Sequence, residues 1–463
     1  MMSAVRAKAC EHNPALTRPV GGLSHMGRIT RRITATCAID AGRSDRSSLT
    51  WSRRTDTLPD VSYDAIVLGA GPAGLGAALS LARDRRRVAL IEAGTEVGGL
   101  CRTVRRGELA YDLGGHILFV HDHARRDWLV ALLGDDAIWV DRPVVCVRDG
   151  ALTPGRYLDQ RPTAPSAING AGPSAHAFLA DAFGTEFVDR VMRRYLQKVD
   201  GMPLERILAA RARTLMLEQA APHGYWYAAH GIGQLMDAMA AEVRRLGGDV
   251  LLSTRVSRIR TAAGRVTGID AASPNGPVIL DAAWVIAGLP PNLVAEFVDP
   301  APPADVIPVL PPRAAALVYL LVDKDHLTGE PWIQTDDPGV PFARMSEPKN
   351  WSARLVPPGH TVIGCECYCT PTADDPSWGL TDADLSQACA RALVDPLGLI
   401  DDSSPIHPLE VVRLPRAWSL VDVDRLDEAM APVHWLADVD GLTVAQGGDV
   451  ILAIQAGERA ARR

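Results

Sequence analysis

The stretch from Tyr63 to Thr103 constrains the fold more than any other, because it sets a short apolar strand, a glycine-rich turn, a helix, a second strand and an acidic residue in one continuous order. Ala65 to Leu68 reads as the strand, and it runs straight into Gly69-Ala70-Gly71-Pro72-Ala73-Gly74. In such a turn Gly69 permits the tight bend, Gly71 lets backbone approach a pyrophosphate with no Cβ in the way, and Gly74 lets the helix lie close to the sheet. Leu75 to Asp84, rich in alanine and leucine, predicts that helix. Its first turn offers unpaired N–H groups and the positive end of a dipole to phosphate oxygens. Val88 to Ile91 predicts the next strand, closed by Glu92, 23 positions after Gly69, where a carboxylate takes ribose hydroxyls. An acid there favours an unphosphorylated ribose, so the expected dinucleotide is FAD or NAD and not NADP. The candidate contacts are Gly69, Ala70, Gly71, Ala73, Gly74, Glu92 and Ala93.

The segment just past Glu92 favours FAD. Val97-Gly98-Gly99-Leu100-Cys101-Arg102-Thr103 resembles the second glycine motif of the flavin-dependent amine oxidase and protoporphyrinogen oxidase superfamily. That resemblance implies that Gly98, Gly99 and Arg102 sit against the FAD phosphates, Arg102 through a charge-assisted contact. Tyr111-Asp112-Leu113-Gly114-Gly115-His116 resembles the superfamily's DLGGH segment and a related segment of UDP-galactopyranose mutases that passes close to the isoalloxazine. Gly114 and Gly115 would let backbone lie against a flat ring, and His116 is the one ionisable side chain there, either a catalytic group or a packing imidazole. His121 and His123 read as surface residues.

The resemblance continues more thinly. Tyr195-Leu196-Gln197-Lys198-Val199-Asp200-Gly201-Met202-Pro203 is similar to a Y-x-x-K-V-x-G-x-P segment of mutase-related flavoproteins, and Arg344-Met345-Ser346-Glu347-Pro348-Lys349 to their R-x-x-E-x-K stretch. Arg344 would then hold an anionic substrate group bidentately, or instead form an ion pair with Glu347 or another acid. Glu366 matches an acidic strand position of the same relatives. The resemblance also places Val256 at the adenine edge, and it brings Gly448 and Asp449, at the head of a final helix from Ile451 to Arg462, to the ribityl or pyrophosphate region. Where mutases carry an arginine, an aromatic and an asparagine-rich run, this chain reads Gly-Asp-Val-Ile-Leu.

The rest of the sequence fits an enzyme of this kind. A chain of 463 residues with 47% hydrophobic content is long enough for two or three domains with large cores. A net charge of -7 gives no reason to expect nucleic acid as a partner, and no apolar run reaches 18 residues, so no transmembrane segment is expected. Eight cysteines include no C-x-x-C pair. Cys365, Cys367 and Cys369 alternate along an expected strand and read as core thiols of a reduced, cytoplasmic protein, with no metal expected. Tyr225, Trp226 and Tyr227 read as core or lid packing, with substrate stacking as the alternative.

The fold class expected is α/β: a Rossmann-like FAD-binding domain assembled from separated segments, with an α+β substrate or cap domain. Residues 1–60 carry ten basic and five acidic residues without hydrophobic periodicity and read as a disordered extension, or as a start codon assigned too far upstream. The FAD-binding domain takes residues 61–140, 230–312 and 406–463. A helical cap or substrate segment takes 141–229, and a strand-rich substrate segment 313–405. Two kinds of chemistry stay open: an FAD-dependent oxidoreductase taking hydride from a small molecule, and a mutase-like isomerase of a nucleotide sugar. An inactive FAD-binding scaffold is the third reading, and oligomeric state is left open.

Overall fold

In a computed structural model, the described residues are 62–120, 122–140, 145–148, 151–154, 172–218, 224–401 and 404–462. The expected extension over 1–60 and His121 lie outside them. The fold is mixed α/β, as expected. Its first half centres on a five-stranded parallel sheet in the order Leu442–Val444, Val285–Ala287, Ala65–Leu68, Val88–Ile91 and Asp249–Leu251. Three separated parts of the chain therefore build one sheet. Both faces are covered, which is why its three inner strands read as unbroken apolar runs.

Helix Pro72–Arg83 begins three residues earlier than its leucine pattern suggested, because Pro72 has its φ pre-set for a first helical turn and needs no N–H partner there. The final helix, Val450–Ala460, lies across it at glycine contacts: a Cβ added to Gly457 would overlap the Ala73 carbonyl, and one added to Gly76 would overlap that of Ile454. The chain between Gly276 and Ala287 serves two sheets. Gly276–Asp281 joins an antiparallel sheet with Arg265–Ser273 and Arg255–Ala262, while Val285–Ala287 enters the parallel one.

The second half is a seven-stranded sheet in the order Ile406–Ser419, Pro312–Val322, Thr361–Cys369, Arg344–Ser346, Trp332–Thr335, Val145–Arg148 and Ala151–Pro154. Ile406–Ser419 was expected to open the last nucleotide-binding segment. It pairs antiparallel with Pro312–Val322 instead, Leu317 opposite Val412, because that almost wholly buried strand needs a partner on each side. The strand-rich excursion thus runs on to Ser419, and the helical segment 141–229 contributes two strands to the same sheet.

Helices Ala175–Phe183 and Thr185 to Asp200, the latter with a π turn over Val188–Met192, cover one end of this sheet. After Pro203 the chain does not turn helical until Ala209. The reason is that the carbonyls of Leu204 and Ile207 receive the free N–H groups of His176 and Ala175 at the preceding helix's start. Cys365, Cys367 and Cys389 pack in the core behind the sheet, all three as free thiols. Among the described residues no helix is long and apolar enough to cross a membrane.

Candidate functional site

The nucleotide cradle forms where the central strand meets the first helix. Helices starting at His123, Ala175, Asp382 and Val450 are capped by the side chains of Asp122, Ser174, Thr381 and Asp449, whereas Pro72–Arg83 starts at Gly71 with no side-chain cap. Its first N–H groups are thus left for a ligand. A Cβ built on Gly71 meets nothing within 4 Å, so the space a pyrophosphate needs is open at the position predicted for it. The second glycine motif faces this turn: Gly98 N donates to Ala70 O at 2.8 Å, and a Cβ on Gly99 would stand 3.4 Å from Gly71 Cα.

Glu92 closes its strand as expected, its carboxylate accepting from Ala70 N at 2.8 Å and Gly94 N at 2.7 Å. Ala93 beside it is exposed and Ala73 is buried in the helix. The Arg102 guanidinium has no ion-pair partner among the described residues, and it lines a cleft of about 470 Å³ with Glu96, Thr103 and Asp237. Val256 sits beside the same corner, since Thr254 N donates to Glu92 O and Val256 itself is in the core behind the sheet. Gly448 is exposed, and Asp449 directs one carboxylate oxygen to Leu452 N at 2.8 Å, capping the final helix. An uncapped helix start, a glycine cradle, an unpaired arginine and a strand-end carboxylate suit a flavin dinucleotide.

The Asp112-to-His116 turn leaves this domain and meets the cap sheet. Asp112 is fully buried, accepting from Thr103 Oγ1 at 2.6 Å, from Ile232 N at 3.0 Å and from the Tyr227 hydroxyl. Its backbone carbonyl accepts from Tyr319 Oη at 2.7 Å, and that hydroxyl accepts from Gly114 N at 3.0 Å. One carboxylate therefore ties the turn, the helix starting at Gly233 and the strand Tyr225–Ala228 together. Tyr225 and Tyr227 are core residues, as the packing reading of that aromatic run anticipated.

Burial pushes the Asp112 carboxyl up to about 6, against the lowering effect of its hydrogen bonds from Thr103, Tyr227 and Ile232. A raised value means the folded state holds the proton more tightly than the unfolded chain. The stability this group contributes is complete below the ordinary value near 4 and is lost as pH rises through 6, a change of about 3 kcal/mol for about two units. Asp112→Asn is expected to remove that slope. Urea unfolding of both proteins at pH 4 and pH 7 measures it; a wild-type-minus-variant gap that is equal at the two pH values refutes the assignment.

The bare faces of the two glycines are taken up by the cap. A Cβ on Gly115 would lie 3.3 Å from Glu366 Oε1 and 3.7 Å from the Trp351 ring, and one on Gly114 3.7 Å from the Glu366 carboxyl carbon. Glu366 is a hub: Gly115 N donates to it at 3.0 Å, the Tyr368 hydroxyl donates to it, and Arg344 Nη2 pairs with it at 2.9 Å. Arg344 thus forms the ion pair that was its alternative reading, with an acid from the neighbouring strand in place of Glu347. Its guanidinium carbon lies 5.2 Å from the Trp332 ring centre and 5.1 Å from that of Tyr368. His116 lies beside this group, its Nδ1 buried without a hydrogen-bond partner. Burial, then the Arg344 charge, push its imidazole down to about 4, so it stands neutral at pH 7.

The two mutase-like motifs serve the scaffold for the most part. Glu347 is fully buried and accepts from Leu327 N, Thr328 N and Thr361 Oγ1 at 2.7–2.9 Å, while Lys349 Nζ reaches Asp325, Pro357 O and His360 O. Only Arg344 of that stretch faces the turn. In the other motif Gly201 ends the helix at φ 72°, and the buried Arg313 grips that end through the carbonyls of Val199 and Lys198. Sequence reasoning left Glu366 without a role and did not single out Trp332, Tyr368 or Tyr319. The signal for Glu366 was its place between Cys365 and Cys367, which puts the acid on the strand face opposite the buried thiols.

The family described as flavin containing amine oxidoreductase matches residues 147–423, more than half of the chain, and an NAD(P)-binding Rossmann-like domain matches residues 67–132. The chain belongs to the flavin containing amine oxidoreductase family. Its cofactor is accordingly FAD. The fold is similar to that of reduced UDP-galactopyranose mutase, at 17% identity and TM-score 0.68 over 87% of this chain and 93% of that one. It is similar also to an oxidoreductase from Methanosarcina mazei, at 18% identity and TM-score 0.64 over 85% and 99% of the two chains. Putrescine oxidase bound to putrescine gives 17% identity and TM-score 0.61 over 87% and 99%. A soluble pyridine nucleotide transhydrogenase of Marinomonas sp. (strain MWYL1) is 62% identical over 39 residues, which is 8% of either chain. The chain thus matches only a small share of its curated relatives' length.

Proposed function

We propose that this protein is an FAD-dependent oxidoreductase that oxidises a small molecule by removal of hydride from carbon. The observation that carries this reading is the junction at residues 112–116, where the turn leaving the nucleotide cradle is joined through Gly115 N to a cap-sheet wall of Glu366, Arg344, Trp332 and Tyr368. Cofactor and substrate elements share one rigid joint. When bound, FAD supplies the two-electron acceptor. The uncapped helix start and Arg102 bind the pyrophosphate, and Glu92 binds ribose hydroxyls. Trp332, Tyr368 and Trp351 exclude water at the wall, while His116, neutral at pH 7, offers a hydrogen bond without a charge.

The isomerase reading requires cationic side chains for the diphosphate of a nucleotide sugar. Lys349 is committed to the scaffold and Arg344 is already paired, so this wall supplies none uncompensated. An anaerobic screen separates the two: a substrate of the oxidoreductase bleaches the flavin in proportion to product, whereas an isomerase converts its nucleotide sugar only with reduced flavin and leaves it reduced. Conversion of a nucleotide sugar by the reduced protein, with the flavin left reduced, overturns the proposal, and a chain inert to every compound favours the scaffold. We place the protein in the cytoplasm, in keeping with the adjacent free thiols of Cys367 and Cys389, 3.7 Å apart.

A further inference from the structure

The wall beside the turn also narrows the class of substrate, on the oxidoreductase reading just given. Arg344 is 26% exposed and is its obvious recognition element, yet the Glu366 carboxylate that pairs with it at 2.9 Å is only 7% exposed. Both Glu366 oxygens are engaged, Oε1 by Gly115 N and Oε2 by the Tyr368 hydroxyl and Arg344. The pair adds no net charge to the wall. The other ionisable groups nearby leave that balance alone: His116 is neutral, the buried Tyr195 is held protonated chiefly by burial, and the Lys198 ammonium, bonded to Asp337 O at 2.7 Å, is faced by the Asp336 and Asp337 carboxylates. Two donors are left over. Arg344 Nε and Trp332 Nε1 are buried and without hydrogen-bond partners, one on the guanidinium and one on the ring that it lies over.

Buried N–H groups of this kind call for an acceptor, and aromatic rings around them call for an apolar body. A carboxylate or phosphate would have to share Arg344 with Glu366 and lose its own hydration beside another anion. An ammonium group would meet the Arg344 charge and find both oxygens of Glu366 already bonded to other donors. We propose that Glu366 determines substrate class by cancelling Arg344, so that the group recognised at this wall is uncharged and carries a carbonyl, amide or hydroxyl oxygen on an apolar or aromatic body. Glu366 acts through Arg344 and is a specificity-determining, positioning residue.

The test uses two probes of one shape and different charge, benzamide and benzoate, titrated into the FAD-loaded protein while the visible flavin spectrum is monitored. In the wild type benzamide is expected to perturb the spectrum and to bind at least as tightly as benzoate. Glu366→Gln keeps an acceptor for Gly115 N but frees the Arg344 charge, and is expected to move the benzoate-to-benzamide affinity ratio tenfold or more toward the anion. Adding Arg344→Met to that variant is expected to abolish the move. Tenfold preference for benzoate in the wild type overturns the proposal without any variant, so it remains testable if Glu366→Gln does not fold. An unchanged ratio in a folded Glu366→Gln protein overturns it too, as does a flavin spectrum that neither probe perturbs in the wild type. No turnover is needed. Benzamide binding in a protein that no compound bleaches would therefore uphold this inference while the oxidoreductase reading fails.

Discussion

Gly71→Val is expected to yield a folded, colourless protein. The backbone there has φ -75° and ψ -179°, which any residue adopts, and a Cβ at the site meets no protein atom within 4 Å. Valine is a poorer start to a helix than glycine, so the apoprotein should lose only about 1 kcal/mol. The added methyl groups nevertheless fill the space in which a pyrophosphate meets the helix start, and FAD affinity should fall by about two orders of magnitude or more. Flavin absorbance after reconstitution and melting of the two apoproteins measure both halves. Gly74→Ala is the contrast, because its Cβ would overlap the Gly69 carbonyl and destabilise the fold itself. A Gly71→Val protein that remains yellow would place the dinucleotide phosphates elsewhere.

That experiment probes the part of the site most legible in the sequence, and the reason is locality. Gly69, Gly71 and Glu92 fall within one strand–turn–helix–strand passage, with Gly98 and Arg102 in the loop straight after it, so their meeting is set by element lengths and turn chemistry. The wall against residues 114–116 could not be read that way. Glu366 meets Gly115 across 251 residues, and it faces Arg344 because antiparallel pairing of Arg344–Ser346 with Thr361–Cys369 sets the two opposite each other. A slip of one residue would have turned Glu366 toward the thiol core. Glu347, three residues from Arg344, was the partner that spacing suggested. Its carboxylate serves the loop at Leu327 and Thr328 instead, a demand of tertiary structure that no local pattern records. The same holds for the C-terminal boundary: Ile406–Ser419 looked like a return to the nucleotide domain until the need of Pro312–Val322 for a second neighbour was visible.

Arg344→Met should show how closely this wall is coupled. Removing the guanidinium leaves the Glu366 carboxylate, 7% exposed, with hydrogen bonds from Gly115 and Tyr368 but no counter-ion. Stranding one member of a buried pair costs about 3–5 kcal/mol, and the partial exposure of Arg344 places the expected loss at the lower end, about 3 kcal/mol. Glu366→Gln should cost less, since Arg344 can still reach solvent and lie against two rings. The double variant has no stranded charge and should recover about 2 kcal/mol relative to the sum of the single changes, a coupling that urea unfolding of the four proteins resolves. Flavin content should stay level throughout, because none of the cradle residues is touched. Additive single losses would mean that the pair is electrostatically idle, and Arg344 would then owe its place to the Trp332 and Tyr368 rings alone. Arg344→Lys sharpens the distinction, since it preserves the charge and loses the planar fork. If the fork positions substrate, that variant should raise KM while leaving flavin content unchanged, and normal kinetics in a merely less stable protein would remove Arg344 from the substrate site.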